Sequence, residues 1–133
     1  MRLLLDTHVW LWSIAAPDRI HEDVRRLIED ESNPVYLSAA SAWEIAIKFH
    51  IGKLDLPEHP RDLIETRLVR DRIQPLPIEH RHVVEVAGLP DHHNDPFDRL
   101  LVVQARVEKL ALVTVDPRLE PYDVELIRAD RAR

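Results

Sequence analysis

The 133-residue chain has no cysteine, only two glycines, few aromatic residues and no long apolar run. Without cysteine there is neither a disulfide scaffold nor a thiolate metal site, so any metal must be held by Asp, Glu or His. The same lack fits a reducing compartment. Two glycines against ten prolines, with 45% hydrophobic residues, exclude a low-complexity linker and describe a compact folded chain. No stretch reaches the roughly 18 apolar residues that a membrane helix needs. Positive charge is also short. Against 24 Asp+Glu stand 18 Lys+Arg, which argues against coating nucleic acid through bulk basicity but leaves room for a local basic face. A single domain over residues 1–133 is expected, large enough to bury a core unaided.

The chain opens MRLLLDTHVWLW. An export signal would use Arg2, an apolar core and the small pair Ala15-Ala16, but Asp6 and His8 interrupt that core and Asp18 follows closely. Met1–Ala16 is therefore expected to stay on the mature protein, and the chain to be cytoplasmic without membrane contact. Leu3, Leu4 and Leu5 instead have the pattern of a strand buried on both faces, with Asp6-Thr7 ending it.

Beyond Pro17, the spacing of Ile20, Val24, Leu27 and Ile28 predicts a helix ending before Asn33-Pro34, and Val35-Tyr36-Leu37 a second strand ending at Ser38. SAASAWEIAIKF, from Ser38 to Phe49, predicts a largely buried helix stopped by Gly52. Pro60 to Arg72 reads as an amphipathic helix whose arginines form a candidate basic strip for RNA. Ile73 to Ile78, carrying Pro75 and Pro77, is at best a short edge strand. A short helix is expected over Glu79–Ala87. Asp95-Pro96 starts another that runs to about Lys109, with the acid at the cap and proline at the first helical position. LALVTV is a buried strand ending at Asp116, Val124–Ile127 a last strand, and ADRAR a frayed tail. Alternating strands and helices imply an α/β fold, a parallel sheet between two helical layers.

Ligands of such sheets bind beyond the carboxyl ends of the strands. Asp6 and Asp116 sit there, while Glu44 and Asp98 lie about two turns and one turn into helices that begin at that edge. Each acid has a structural explanation. Asp6-Thr7 and Asp116-Pro117 suit turns, Ser41-x-x-Glu44 is a capping-box pattern, and Asp98 complements a helix dipole. One fold nevertheless brings all four to one edge, where packed carboxylates repel unless a cation sits among them. Mg²⁺ or Mn²⁺ suits oxygen ligands and keeps several waters, and such a site suits phosphodiester hydrolysis.

The elements LLLDTHVWLW, LSAASAWEIAIK, HHNDPFDRLLVVQA and LVTVDPRLEPYDV occur in the order and at the intervals seen in PIN-domain proteins, and the chain resembles their VapC-type toxin branch along essentially its whole length. The resemblance implies a three-layer α/β/α fold with a parallel sheet of four or five strands. It also implies a Mg²⁺- or Mn²⁺-dependent endoribonuclease, commonly a homodimer, held inactive by a small antitoxin that inserts a peptide into its groove. The family's acidic quartet falls on Asp6, Glu44, Asp98 and Asp116, with Asp6 and Asp98 the direct metal ligands. Thr7, Ser38 and Thr114 fall at supporting hydroxyl positions. Asp95 is an extra acid, read as a helix cap with an outer role, and Val103 replaces the more usual alanine.

Arg99 and His93 are candidate substrate contacts, although each also reads as an ordinary surface side chain. His80-x-His82 and His92-His93 raise a zinc site, but positions two apart on a helix diverge. Trp10, Trp12 and Trp43 sit in apolar segments and are expected in core or interface rather than as base-stacking platforms. A phosphatase with Asp6 as nucleophile would need a second Asp where His8 stands. A non-catalytic PIN-like binding module would be expected to lack one or more of the four acids.

Overall fold

A computed structural model describes residues 1–133. Five strands, β1 (Leu3–Leu5), β2 (Val35–Ser38), β3 (Ile73–Leu76), β4 (Ala111–Thr114) and β5 (Leu126–Arg128), form one parallel sheet in the order β3-β2-β1-β4-β5. β1 lies at the centre, with Leu4 in register with both Tyr36 and Leu112. Six helices accompany the sheet: α1 (Thr7–Ala15), α2 (Glu22–Glu29), α3 (Ala39–His50), α4 (Pro60–Arg70), α5 (His80–Glu85) and α6 (Pro96–Glu108).

The alternation of side chains along a strand divides the interior into two cores. Leu3, Leu5, Ala111 and Val113 face one layer, where Val9 and Trp10 of α1, Val24 of α2 and Ile45 of α3 pack, with Ile64 and Leu68 of α4 against them. Leu4 and Leu112 face the other layer, filled by Leu101, Val102 and Ala105 of α6 together with Leu89, Leu119 and Tyr122. All three leucines of β1 are fully buried, as a central parallel strand covered on both faces requires.

Two local expectations change. Helix α1 starts at once where Asp6-Thr7 suited a turn: Asp6 is its N-cap and accepts the Val9 N–H at 2.8 Å. The chain end is also less frayed than its composition implies. Ala129 is fully buried, donates its N–H to the Thr114 carbonyl at 2.8 Å and accepts from the His21 N–H at 2.7 Å. The edge strand with Pro75 forms as anticipated, pairing only with β2.

The chain leaves β1 toward β2 and β3 on one side, then returns to β4 and β5 on the other. The direction of winding therefore reverses beside β1, and ligands of open parallel sheets bind in the crevice at such a reversal. Asp6 follows β1, and Asp116 lies two residues beyond β4. None of the helices is long and apolar enough to cross a membrane.

Candidate active site

Burial is what makes Asp6 unusual. Its side chain lies in the carboxyl-edge crevice almost out of solvent, and burial pushes its carboxyl above the ordinary value of 3.8. Hydrogen bonds oppose this: the Thr114 hydroxyl donates to Asp6 Oδ2, and the Val9 amide to Oδ1. Thr114 Oγ1 also accepts the Asp116 N–H at 3.1 Å, so one hydroxyl at the end of β4 ties two of the acids together.

Asp98 stands in the first turn of α6, whose N-cap Asp95 accepts the N–H groups of Phe97 and Asp98. Its carboxyl is pushed up to about 6, mainly by burial, then by the charge of Asp95, with Asp6 and Glu44 adding to the rise. Those couplings make Asp6, Glu44, Asp95 and Asp98 neighbours in one electrostatic site. Asp116 takes the other direction: the Arg118 guanidinium, bonded to both carboxylate oxygens, holds it below the usual range.

Glu44 is buried on α3 and forms an ion pair with Lys48 Nζ at 2.8 Å, one turn along the helix. The capping-box explanation for Glu44 fails, because the cap of α3 is Ser38, which accepts the Ala40 N–H at 3.0 Å. Ser41 lies inside the helix, where its Oγ accepts a hydrogen bond from Thr7 Oγ1 at 3.0 Å. Thr7 thereby joins α1 to α3. Ser38 Oγ donates to Gln104 Oε1 at 2.5 Å and joins β2 to α6. Both hydroxyls hold together the elements that carry the acids.

His93 is not the surface side chain that the sequence suggested. It is buried, with Nε2 at 2.9 Å from Asp98 Oδ2 and 3.4 Å from Asp116 Oδ2. The Asn94 N–H donates to Nδ1, so the neutral ring carries its proton on Nε2 and donates it to Asp98. Tyr122 Oη accepts the His93 N–H at 2.9 Å and fixes the backbone. His93, Asp98 and Asp116 bring one ligand-type atom each within 4.8 Å of one another.

Arg99 points its guanidinium into the preceding loop, where it donates to the carbonyls of Val86, Leu89, Pro90 and His93. A planar guanidinium meets such a fan of acceptors well, and Arg99 here shapes the loop that presents His93. The arginines near the end of α4 are likewise engaged, Arg67 with Asp71 and Arg72 with Glu31, at the amino edge of the sheet across from the acids. His82 is buried and satisfied: Nδ1 accepts the Glu79 N–H and Nε2 faces Glu108 at 3.0 Å, which leaves no free lone pair for zinc.

Lys48, Arg118 and Gln104 escaped the sequence reading. Glu44 and Lys48 at i, i+4 were an available signal, whereas Asp116 and Arg118 meet only because Asp116 caps the turn that carries Arg118. Gln104 offered none, since a buried amide within an apolar helix is visible only once its partners are placed.

A match to the PIN domain family spans residues 3–125. Ribonuclease VapC16 of Mycobacterium tuberculosis (strain ATCC 25618 / H37Rv) is 42% identical over 67 residues, a stretch covering 50% of this chain and about half, 47%, of that protein. The fold is similar to that in the crystal structure of VapBC2 from Rickettsia felis bound to a DNA fragment from their promoter, with TM-score 0.71 and 16% identity over 96% of this chain and 98% of that one. It is similar again to DNA-bound VapBC from Salmonella typhimurium, with TM-score 0.71 and 16% identity over 96% and 97% of the two chains. The order of the strands, the acids at the reversal beside β1 and a family match over nearly the whole length agree: the chain belongs to the PIN domain family.

Proposed function

We propose that residues 1–133 act as a single PIN-like domain, a divalent-metal-dependent endoribonuclease and the toxin of a toxin–antitoxin pair working in the cytoplasm. What supports this reading most is that Asp6 and Glu44 lie close enough to Asp98 to add to the burial that pushes its carboxyl up to about 6, while Asp116 joins Asp98 through the shared ring of His93. The ribonuclease relative and the VapBC complexes support the same assignment.

The donor set fits a hard cation. It consists of carboxylate oxygens, and their mutual repulsion is a cost that a divalent ion offsets. Asp6 and Asp98 would hold Mg²⁺, with Mn²⁺ as a substitute, and Glu44 and Asp116 would act from the outer side. When bound, the ion supplies an activated water and stabilises the leaving oxygen of the phosphodiester. The remaining work falls to the chain. Thr114 orients Asp6, and His93 orients Asp98 through Oδ2, each carboxylate keeping further lone pairs for a ligand. Arg118, bonded to both of its oxygens, holds the Asp116 carboxylate in place and below its ordinary range. The proposed partners are an RNA substrate, a small antitoxin whose peptide covers the groove, and a second copy of the chain.

The test is cleavage of total tRNA and ribosomal RNA by antitoxin-free protein with Mg²⁺ or Mn²⁺, beside chelator and Asp98→Ala controls. Discrete fragments that vanish in both controls are the expected result. Cleavage that persists in Asp98→Ala would overturn the site. A folded, metal-binding chain that cuts neither RNA pool would shift the reading to a binding role or an untested RNA.

A further inference from the structure

Trp43 and Phe97 meet edge to face, ring centroids 5.2 Å apart and planes at 76°. Each ring belongs to the residue just before a site acid, Trp43 before Glu44 and Phe97 before Asp98. Trp43 keeps 60% of its surface exposed, whereas Trp10 is fully buried and Trp12 lies under the Arg19 guanidinium, 4.1 Å from the ring centroid. Of the core or interface placement expected for the three tryptophans, Trp43 therefore does not take the core. An indole left in water forgoes the burial that usually stabilises it, and here its neighbour restrains it without covering it.

We propose that Trp43, steadied by Phe97, is a stacking platform for the nucleobase next to the phosphate held by the acidic site. This rests on the nuclease reading above. Helices α3 and α6 both begin at the carboxyl edge. The contact between Trp43, in the second turn of α3, and Phe97, in the first turn of α6, places the pair at the rim where a polynucleotide reaching Glu44 and Asp98 would pass. Single-stranded RNA is recognised largely through unstacked bases laid on aromatic faces. Charge points the same way. The chain is net negative by six, and the nearby cations Lys48 and Arg118 are already paired with Glu44 and Asp116, so the pull on phosphate is weak. Stacking supplies affinity without any further positive charge. Ile47 and Ile51 continue the exposed stripe of α3 at i+4 and i+8 from Trp43, away from the acids, and serve as the control.

The test uses full-length protein in chelator, titrated into fluorescein-labelled hexamers of oligo(rA), oligo(rU) and an abasic ribose-phosphate of equal charge. Anisotropy is expected to show roughly 5- to 100-fold weaker binding of the base-bearing hexamers to Trp43→Ala, with recovery in Trp43→Phe. The abasic hexamer should bind all variants alike, and Ile47→Ser should match the parent chain. Equal affinity of Trp43→Ala and the parent chain overturns the proposal, as does an absence of oligonucleotide binding or equal binding of abasic and base-bearing hexamers. A loss shared with Ile47→Ser and accompanied by dissociation of a dimer in sedimentation assigns the stripe to a protein interface and overturns it too. Cleavage assays in Mg²⁺ separate the two readings. Base-dependent binding without cleavage sinks the nuclease and leaves the platform, while cleavage with KM unaltered in Trp43→Ala sinks the platform alone.

Discussion

Asp6 serves two ends of the structure at once. As N-cap of α1 it faces the positive end of a helix dipole, which favours its ionised form, while its burial favours the neutral one and prevails. Asp98 has the same conflict in a form that can be measured. Its folded value of about 6 lies above the ordinary 3.8, so between those pH values the folded chain holds more protons at this group than the unfolded chain. The stabilisation is complete below pH 3.8 and is lost as pH rises through 6. In chelator, the melting temperature of the parent chain should therefore fall relative to that of Asp98→Asn across this window, leaving Asp98→Asn the more stable at pH 7. Parallel curves for the two proteins would show that Asp98 carries no such penalty. His93 acts on the same carboxylate by geometry. Losing a partner that orients a metal-ligating group typically costs roughly 10- to 100-fold in metal affinity or activity, and His93→Ala is expected to fall in that range while melting cooperatively. Cleavage and Mn²⁺ titration, each run beside a thermal melt, check it.

At the level of elements, legibility followed pattern strength. β1, β2 and β4 were visible as short runs of apolar residues, and α6 through Asp95-Pro96. Helix α1 was not, because THVWLWSIA is apolar on nearly every side and gives no 3.6-residue period, and because its capping acid, Asp6, was read as a turn. The last strand shifted from Val124–Ile127 to Leu126–Arg128, since its register is set by β4, which no local pattern encodes. That the four acids would lie at one edge was legible because strand ends and helix starts share it. The burial of His93 was not, since it depends on Tyr122, 29 residues away. Gly52 was anticipated as a helix stop, and its geometry explains why. At φ +74 it closes α3, donating to the Phe49 carbonyl at 3.1 Å while Lys53 donates to Lys48 at 2.9 Å. A Cβ there would meet nothing within 4 Å, so Gly52→Ala suffers only backbone strain. A loss of about 1–2 kcal/mol is expected in denaturant unfolding, with RNA cleavage unchanged. No loss would mean that the turn relaxes to another conformation.

Over the whole molecule, two apolar layers hold in place the acids that the carboxyl edge brings together against their repulsion. The central strand is buried on both faces, so the acid that follows it cannot move far toward water, and the repulsion among Asp6, Glu44, Asp95 and Asp98 is borne by the packing. Four side-chain links, Thr7–Ser41, Ser38–Gln104, Thr114–Asp6 and His93–Asp98, cross between elements at that edge and bind it to both layers. A ligand that binds the folded chain alone raises its stability by mass action, about 2.7 kcal/mol at a concentration 100 times its dissociation constant. Mg²⁺ or Mn²⁺ should therefore raise the melting temperature saturably over chelator, and should also flatten the pH dependence attributed to Asp98, because the ion favours carboxylates over carboxylic acids. A matched ionic strength of NaCl should do neither. In the Asp6→Asn, Asp98→Asn double variant the metal-induced rise should disappear although the chain itself melts cooperatively. A rise that survives in this variant would move the ion away from the crevice beside β1.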